Sequence, residues 1–334
     1  MNKHLWLMQA AVRGADSPIL EVTGVFGYPR LMHAKERLMT TDRLNTTAPH
    51  PISYLFVPGN RPERFAKAVD ANPDAVILDL EDAVHPNSKA TARLAIRAWQ
   101  ESAPATLCQR YIRLNSVGSS FFHQDLAWLS EVPYPARCAG IFLPKAESPE
   151  TLSLVVERLL AWNAELQIVA IIETAKGLQQ VEAIAGVRGL ARLAFGSLDF
   201  SLDINCSQIP EAFLFARNRI VLASRTADLP APIDGVTPSI SDMAAVEQES
   251  HYARSLGFGA KLCIHPSQLT TVHRAFLPDA LQLAWADRVL AAVAGGSHAF
   301  QVDGEMVDLP LIEYAQRIHD VASQYALASK ADAC

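Results

Sequence analysis

AVILDLEDAV, residues 75–84, is the stretch on which the fold turns. Ala75, Val76, Ile77 and Leu78 form a short apolar run, and Leu80 separates Asp79 from Glu81 and Asp82. An apolar run of strand length that ends in acids reads as a buried strand delivering charge to its C-terminal end. Buried carboxylates are costly unless a cation or hydrogen-bond donors meet them. A metal ion, a basic side chain or ordered water is therefore expected where this strand ends.

Outward from that stretch the same pattern recurs. Apolar or β-branched runs at 53–59, 75–82, 111–115, 139–145, 168–174, 192–197, 232–236 and 260–266 alternate with longer amphipathic segments. Pro62 to Val69, Ser88 to Glu101 and Glu211 to Ala227 read as helices, the first with Asn60 as its cap and Glu63 three residues on. Eight strand–helix units in succession predict an α/β fold, a (β/α)8 TIM barrel over residues 51–277. The competing open doubly wound sheet would carry a glycine-rich phosphate loop after its first strand, and PGNRPER at 58–64 is not one.

After residue 278 the character changes. Pro278 to Val293 reads as a helix, AGGSHAF as a turn, and QVDGEMVDLP leads into a last amphipathic helix over 311–329. Residues 278–334 are expected to form a C-terminal helical lid. Residues 1–50 are expected to be a poorly ordered extension, since the apolar core of MNKHLWLMQAAVRGAD is broken by Gln9 and Arg13 and no convincing cleavage site follows.

Composition narrows the function. Half of the 334 residues are hydrophobic, so a large core is available, and a net charge of −6 with no basic stripe argues against nucleic-acid binding. No apolar run approaches membrane-spanning length. The five cysteines are scattered without a CxxC pair, which suggests neither a zinc site nor a disulfide framework and makes the cytoplasm the expected compartment.

In a barrel, catalytic groups gather at the C-terminal ends of the strands. Here those ends carry Glu81 and Asp82, Arg113, Lys145 followed by Glu147, Glu173, Asp199 and His265. Glu173 and Asp199, from neighbouring strands, suit a hard divalent ion such as Mg2+, which takes one or two carboxylates and fills its other positions with water and substrate oxygens. Glu81 and Asp82 would then orient that water, and Arg113 would offer its planar fork to a substrate carboxylate. Each has a plainer reading. Lys145 neutralises Glu81 or Glu147, His265 pins a loop, Glu173 and Asp199 cap helices, and Arg113 is a structural ion-pair partner. Asp79, within the strand, is read as structural.

These motifs in this order resemble the citrate lyase beta-subunit-like acyl-CoA lyases, aldolases built on phosphoenolpyruvate-binding-type barrels. The resemblance runs from about residue 53 to 320 through LFVPGNRPERFAKA, VILDLEDAV, YIRLNSVGS, FLPKAES, IIETAKGL, FGSLDFSLD, AKLCIHPSQ and GEMVDLPLIEYAQ. It implies a Mg2+ enzyme (with Mn2+ as a substitute) that assembles as a homotrimer or hexamer. It makes Glu173 and Asp199 the metal ligands, Arg113 the residue that binds the keto acid, and Glu81 and Asp82 the paired acids. Arg113, Glu81 and Asp82 are the expected catalytic residues of the barrel, and Lys145 and Gly196 are read beside Arg113 as substrate-binding. Asp308 in MVDLP matches an aspartate that the lid of a neighbouring subunit contributes as a catalytic group. Many relatives read Gly-Ala-Glu-Asp where this chain reads Gly196-Ser197-Leu198-Asp199, so one acid is missing. The implied reaction is retro-Claisen cleavage of a 3-hydroxyacyl-CoA to acetyl-CoA and a 2-keto acid. Citramalyl-CoA is the first expectation, ahead of malyl-CoA and of citryl-CoA, the last of which raises the question of an acyl-carrier partner. Arg61 or Arg64 is expected near the CoA phosphates. A CoA-independent pyruvate aldolase and a non-catalytic assembly subunit are the remaining alternatives.

Overall fold

In the computed structural model, which describes residues 50–102, 104, 108–131, 138–294 and 300–331, eight parallel strands close into a barrel in chain order. They are β1 (Ser53–Pro58), β2 (Ala75–Asp79), β3 (Gln109–Arg113), β4 (Gly140–Leu143), β5 (Gln167–Ile172), β6 (Leu190–Phe195), β7 (Ile233–Asp234) and β8 (Ala260–Cys263). All eight expected strands are present, each ending before its apolar run does. β2 stops at Asp79, so Glu81 and Asp82 stand on the loop that follows. The expected extension lies outside the described residues up to position 49, as does most of the AGGSHAF turn.

Strand alternation sorts the side chains into two cores. Along β2, Val76 and Leu78 pack outward beneath the helices, whereas Ala75 and Ile77 face the lumen. The inward rings of Tyr54, Tyr111 and Phe142 meet edge to face with centroids 5.4–5.6 Å apart, an arrangement worth ~0.5–1.5 kcal/mol per pair beyond burial. Gly140 has no room for a side chain there, since a Cβ would lie 2.4 Å from the Tyr111 ring. Below the rings, Arg192 donates to Tyr54 Oη at 3.2 Å and to the Pro51 carbonyl at 2.9 Å. Aromatic packing thus fills the N-terminal end of the lumen. The same parity continues upward to Phe56, Asp79, Arg113 and Glu173, which therefore meet over the C-terminal end.

Helices cover the outside. The expected Asn60 cap is not made: a 3-10 turn over Pro62–Arg64 precedes the Phe65–Asp70 helix, and Arg61 occupies the cap position with its N–H on the Pro58 carbonyl. The tight turn leaving β1 uses Asn60, whose Oδ1 is buried without a partner. The other two expected helices are Lys89–Ser102 and Pro210–Thr226.

The C-terminal segment folds as helix, hairpin and helix. Ala280–Ala294 and Leu309–Ala331 flank β9 (Phe300–Val302) and β10 (Glu305–Val307), with Val289, Val302, Val307 and Ile318 in a small core of their own. The sequence pattern here predicts connecting chain, whereas the structure forms a hairpin. Its signal is Asp303-Gly304, both at positive φ (54° and 86°), as a two-residue hairpin turn requires. Farther along the last helix, Tyr325 Oη donates to Asp74 at 2.6 Å, just ahead of β2. That helix is therefore anchored at the N-terminal face of the barrel. Among the described residues no helix is long and apolar enough to cross a membrane.

Candidate active site

At the end of β2, Asp79 accepts from the backbone N–H of Glu81 at 2.9 Å and of Ala83 at 3.1 Å. It also clamps Arg113, the last residue of β3, with Nε at 2.6 Å and Nη2 at 2.8 Å. The β2–β3 register sets Asp79 directly opposite Arg113, which makes this bidentate pair a product of strand pairing. Burial would push the Asp79 carboxyl up, but the Arg113 charge and these hydrogen bonds hold it below the usual carboxylate range. The Phe56 ring lies 4.7 Å from the guanidinium carbon.

Glu81 takes the other side of the arginine. Its Oε2 lies 3.2 Å from Arg113 Nη1, and its Oε1 accepts from Lys145 Nζ at 3.1 Å. Lys145 sits at positive φ (50°), directed by the turn leaving β4, and its own N–H donates to Glu173 Oε1 at 2.8 Å. Burial raises Glu81 to about 7 despite both cations, with Asp82 adding to the rise. Lys89 reaches from its helix to the Leu80 and Glu81 carbonyls at 2.6 and 2.7 Å and holds the loop in place.

Glu173, buried at the end of β5, is pushed to about 8, chiefly by burial and then by the charges of Glu81 and Asp199. Asp199 lies in the first turn of the Ser197–Asp203 helix. Gly196, just before it, lets the chain pass against Glu173: a Cβ there would stand 2.3 Å from Glu173 Oε2. Asp79, Asp82, Arg113, Glu173, Gly196 and Asp199 share one cavity of about 280 Å³. A set of acids that raises the pKa of its own member is short of positive charge. Glu81 Oε2 is moreover buried without a hydrogen-bond partner. Among the described residues no three His, Cys, Asp or Glu side chains converge on one point. The set therefore fits a hard cation that needs only one or two protein carboxylates.

Other residues singled out from the sequence fall elsewhere. His265 caps the Pro266–Gln268 turn through Nδ1, which is the loop-pinning reading. Glu147 pairs with Lys176, and Arg61 with Glu63. Asp308, exposed between β10 and the last helix, does not line the cavity of its own barrel.

The family model described as HpcH/HpaI aldolase/citrate lyase matches residues 53–266. The chain belongs to this family. A citrate lyase subunit beta-like protein of Deinococcus radiodurans is 32% identical over 276 residues, covering 80% of this chain and 95% of the relative. The human mitochondrial citramalyl-CoA lyase is 30% identical over 292 residues, covering 81% and 85%. Among solved structures, protein CitE from Mycobacterium tuberculosis, in complex with magnesium, acetoacetate and coenzyme A, superposes with a TM-score of 0.71. It is 32% identical, covering 83% of this chain and 100% of the other. The chain is thus an enzyme, a carbon–carbon lyase of the citrate lyase beta and citramalyl-CoA lyase kind.

Two features of this HpcH/HpaI site escaped the sequence reading. Asp79, set aside as structural, is the residue that holds Arg113 in the cavity. Its position two residues before Glu81, on the inward parity of β2, was the available signal. The buried trio of Asp234, Arg217 and Lys261 also went unseen. Arg217 Nε lies 2.9 Å from Asp234 Oδ1 and Lys261 Nζ lies 2.9 Å from Oδ2, which ties β7 to β8 and to the Pro210–Thr226 helix. The partners are 17 and 27 residues apart, beyond any local motif.

Proposed function

We propose that this lyase cleaves citramalyl-CoA to acetyl-CoA and pyruvate. The observation that carries the choice is the cavity wall. Phe56, Ile171, Leu198, Val236, Leu262 and Ile264 make it mostly apolar, and Arg113 is the one cation lining it among the described residues. A keto acid with one carboxylate and one methyl matches that lining. Oxaloacetate would bring a second carboxylate, with only an arginine already engaged by Asp79 and Glu81 to receive it. Glyoxylate would leave apolar surface uncovered, and a single methyl discriminates by only ~1–3 kcal/mol.

Glu173 and Asp199 are the residues that would hold Mg2+, which supplies Lewis-acid polarisation of substrate oxygens when bound. Arg113 receives the substrate carboxylate in the orientation Asp79 imposes and offsets charge developing on the carbinol oxygen. Lys145 balances Glu81 at the rim, where Asp82 adds a further negative charge. Cleavage passes the hydroxyl proton to water, breaks the bond between the carbinol carbon and the thioester's methylene, and leaves that electron pair as an enolate on the former methylene carbon. Asp308 of a neighbouring copy protonates that carbon and so completes acetyl-CoA. Residues 278–334 act in this reading as a lid shared between subunits of a homotrimer or hexamer. Leu202, Phe215 and Leu222 are exposed apolar side chains available for such packing. Arg64, exposed and without the pairing that occupies Arg61, is the candidate for the CoA phosphates.

Acetyl-CoA release from citramalyl-CoA, malyl-CoA and citryl-CoA, assayed side by side with added Mg2+, tests the reading. The highest kcat/KM is expected with citramalyl-CoA. Preference for citryl-CoA would overturn the argument from the wall, and no turnover of any thioester would overturn the CoA-dependent reading.

A further inference from the structure

A second cavity, of about 660 Å³, lies at the opposite end of the barrel from the carboxylates. Ile52, Ala231 and Gly259, just ahead of β1, β7 and β8, form one wall, and the last helix closes it through Tyr314, Arg317 and Tyr325. His50, Arg192, His251, Arg254 and Arg317 all line it, and among the described residues no aspartate or glutamate does.

Two of these arginines are held by neutral acceptors. Arg192 is 4% exposed and donates to the carbonyls of Ala231 and Pro51 and to Tyr54 Oη. Arg254 donates to the carbonyls of Ala275 and Leu277, both at 3.0 Å, and to Gln282 Oε1 at 3.2 Å. Neither meets a carboxylate among the described residues. Arg93, Arg113 and Arg217, by contrast, each reach one at 2.6–2.9 Å. Neutral acceptors satisfy the N–H groups without a paired carboxylate, in Arg192 at a buried position where a charge acts at longer range and in Arg254 at a half-buried one. His50 responds to this, its pKa lowered by burial and by Arg192. Arg317 has only a loose, exposed contact with Glu313 at 3.8 Å, a geometry of little energetic weight. Phe258, Phe276, Ile318 and Val321 supply apolar surface beside the cations.

We propose that this cavity is a second ligand site. It takes a small organic anion whose carboxylate or phosphate lies among Arg192, Arg254 and Arg317 and whose apolar body rests on Phe258 and Phe276. Such a ligand bridges the N-terminal face of the barrel to the last helix and steadies that helix from Leu309 onward. The site is independent of the lyase reading, because it shares no residue with the cavity of Glu173 and Asp199.

Calorimetric titration of the full chain with phenyl phosphate and with phenylacetate tests the proposal and separates the two head groups, with benzyl alcohol as the uncharged comparison. At least one anion is expected to bind saturably at one site per chain, and benzyl alcohol at least ten-fold more weakly. Arg317→Glu, at an exposed position, and Val321→Trp, which fills the cavity, are each expected to weaken the anion ten-fold or more. Hydrogen exchange in residues 309–321 should slow when the anion is present. Absence of saturable binding, equal binding of benzyl alcohol, or unaltered binding in both variants would overturn the proposal. The last result would place the anion elsewhere, in the carboxylate cavity included.

Discussion

Substituting Gly196 by alanine tests whether Glu173 works from the position the fold gives it. Gly196 has φ −92° and ψ 77°, values open to alanine, so the effect arises from contact and not from backbone strain. The added Cβ would stand 2.3 Å from Glu173 Oε2, 2.5 Å from Glu173 Cβ and 3.1 Å from Ile171 Cγ2. Comfortable carbon–carbon contact begins near ~3.5 Å, so Glu173 or the chain must retreat by about 1 Å. Glu173 has little freedom to do so, being 2% exposed and tied through Oε1 to the Lys145 N–H at 2.8 Å. Overpacking of this kind costs ~1–3 kcal/mol of stability, or a Tm fall of roughly 2–4 °C per kcal/mol for a chain of this size. A group displaced by 1 Å in a reacting site loses on the order of 100-fold in rate, about 2.7 kcal/mol of activation free energy. The expected result is a folded variant whose kcat/KM for citramalyl-CoA falls by about two decades while its Mg2+ affinity drops. Acetyl-CoA release, calorimetric Mg2+ titration and a thermal melt measure the three quantities. A variant that loses several degrees of Tm but keeps wild-type Mg2+ affinity and turnover would refute the reasoning, because Glu173 would then have moved without consequence.

Other perturbations follow from the same geometry. Asp79→Asn breaks the buried bidentate pair and leaves Arg113 with only the Glu81 contact at 3.2 Å, which should cost ~3 kcal/mol in urea unfolding, together with loss of turnover. An unchanged unfolding midpoint would contradict the clamp. Asp308→Asn should abolish cleavage while Mg2+ binding by calorimetry stays intact, and loss of metal binding would contradict its role as proton donor. Asp234 has its carboxyl held low, against the upward push of burial, by Lys261 and Arg217. The stability it contributes is present above the unfolded-state pKa of ~3.9 and is lost as pH falls through the lower folded value. Urea midpoints of the wild type should therefore drop below about pH 4, and Asp234→Asn should remove part of that slope. Glu173, raised to about 8, must give up its proton to take Mg2+. Mg2+ affinity should climb with pH up to about 8 and level off above it, and a flat profile from pH 6 to 8 would remove Glu173 from the metal.

The eight strands were legible because each is a short apolar run between longer amphipathic segments, and the closed barrel follows from their number and order. The acids were legible as rim residues for the same reason, since they come at the ends of apolar runs. What each acid does was not. Asp79 and Glu81 look alike in AVILDLEDAV, yet one grips Arg113 bidentately and the other shares Lys145. Asn60 looked like a helix cap, but the turn leaving β1 used that position first. The β9–β10 hairpin was missed because its strands are only three residues each, too short for alternation to register.

By itself the sequence determined the fold class, the family and the inventory of charged groups on the rim, because hydrophobic period and motif order are local properties of the chain. Tertiary structure alone decided which carboxylate meets which cation. Strand register sets Asp79 opposite Arg113 and the β4 turn carries Lys145 to Glu81, across separations of 34 and 64 residues. It alone also set Arg192 and Arg254 around a cavity lined by no acid among the described residues. A side chain's partner is fixed by closure of the barrel and by what the helices leave beside it, and no local pattern along the chain encodes either.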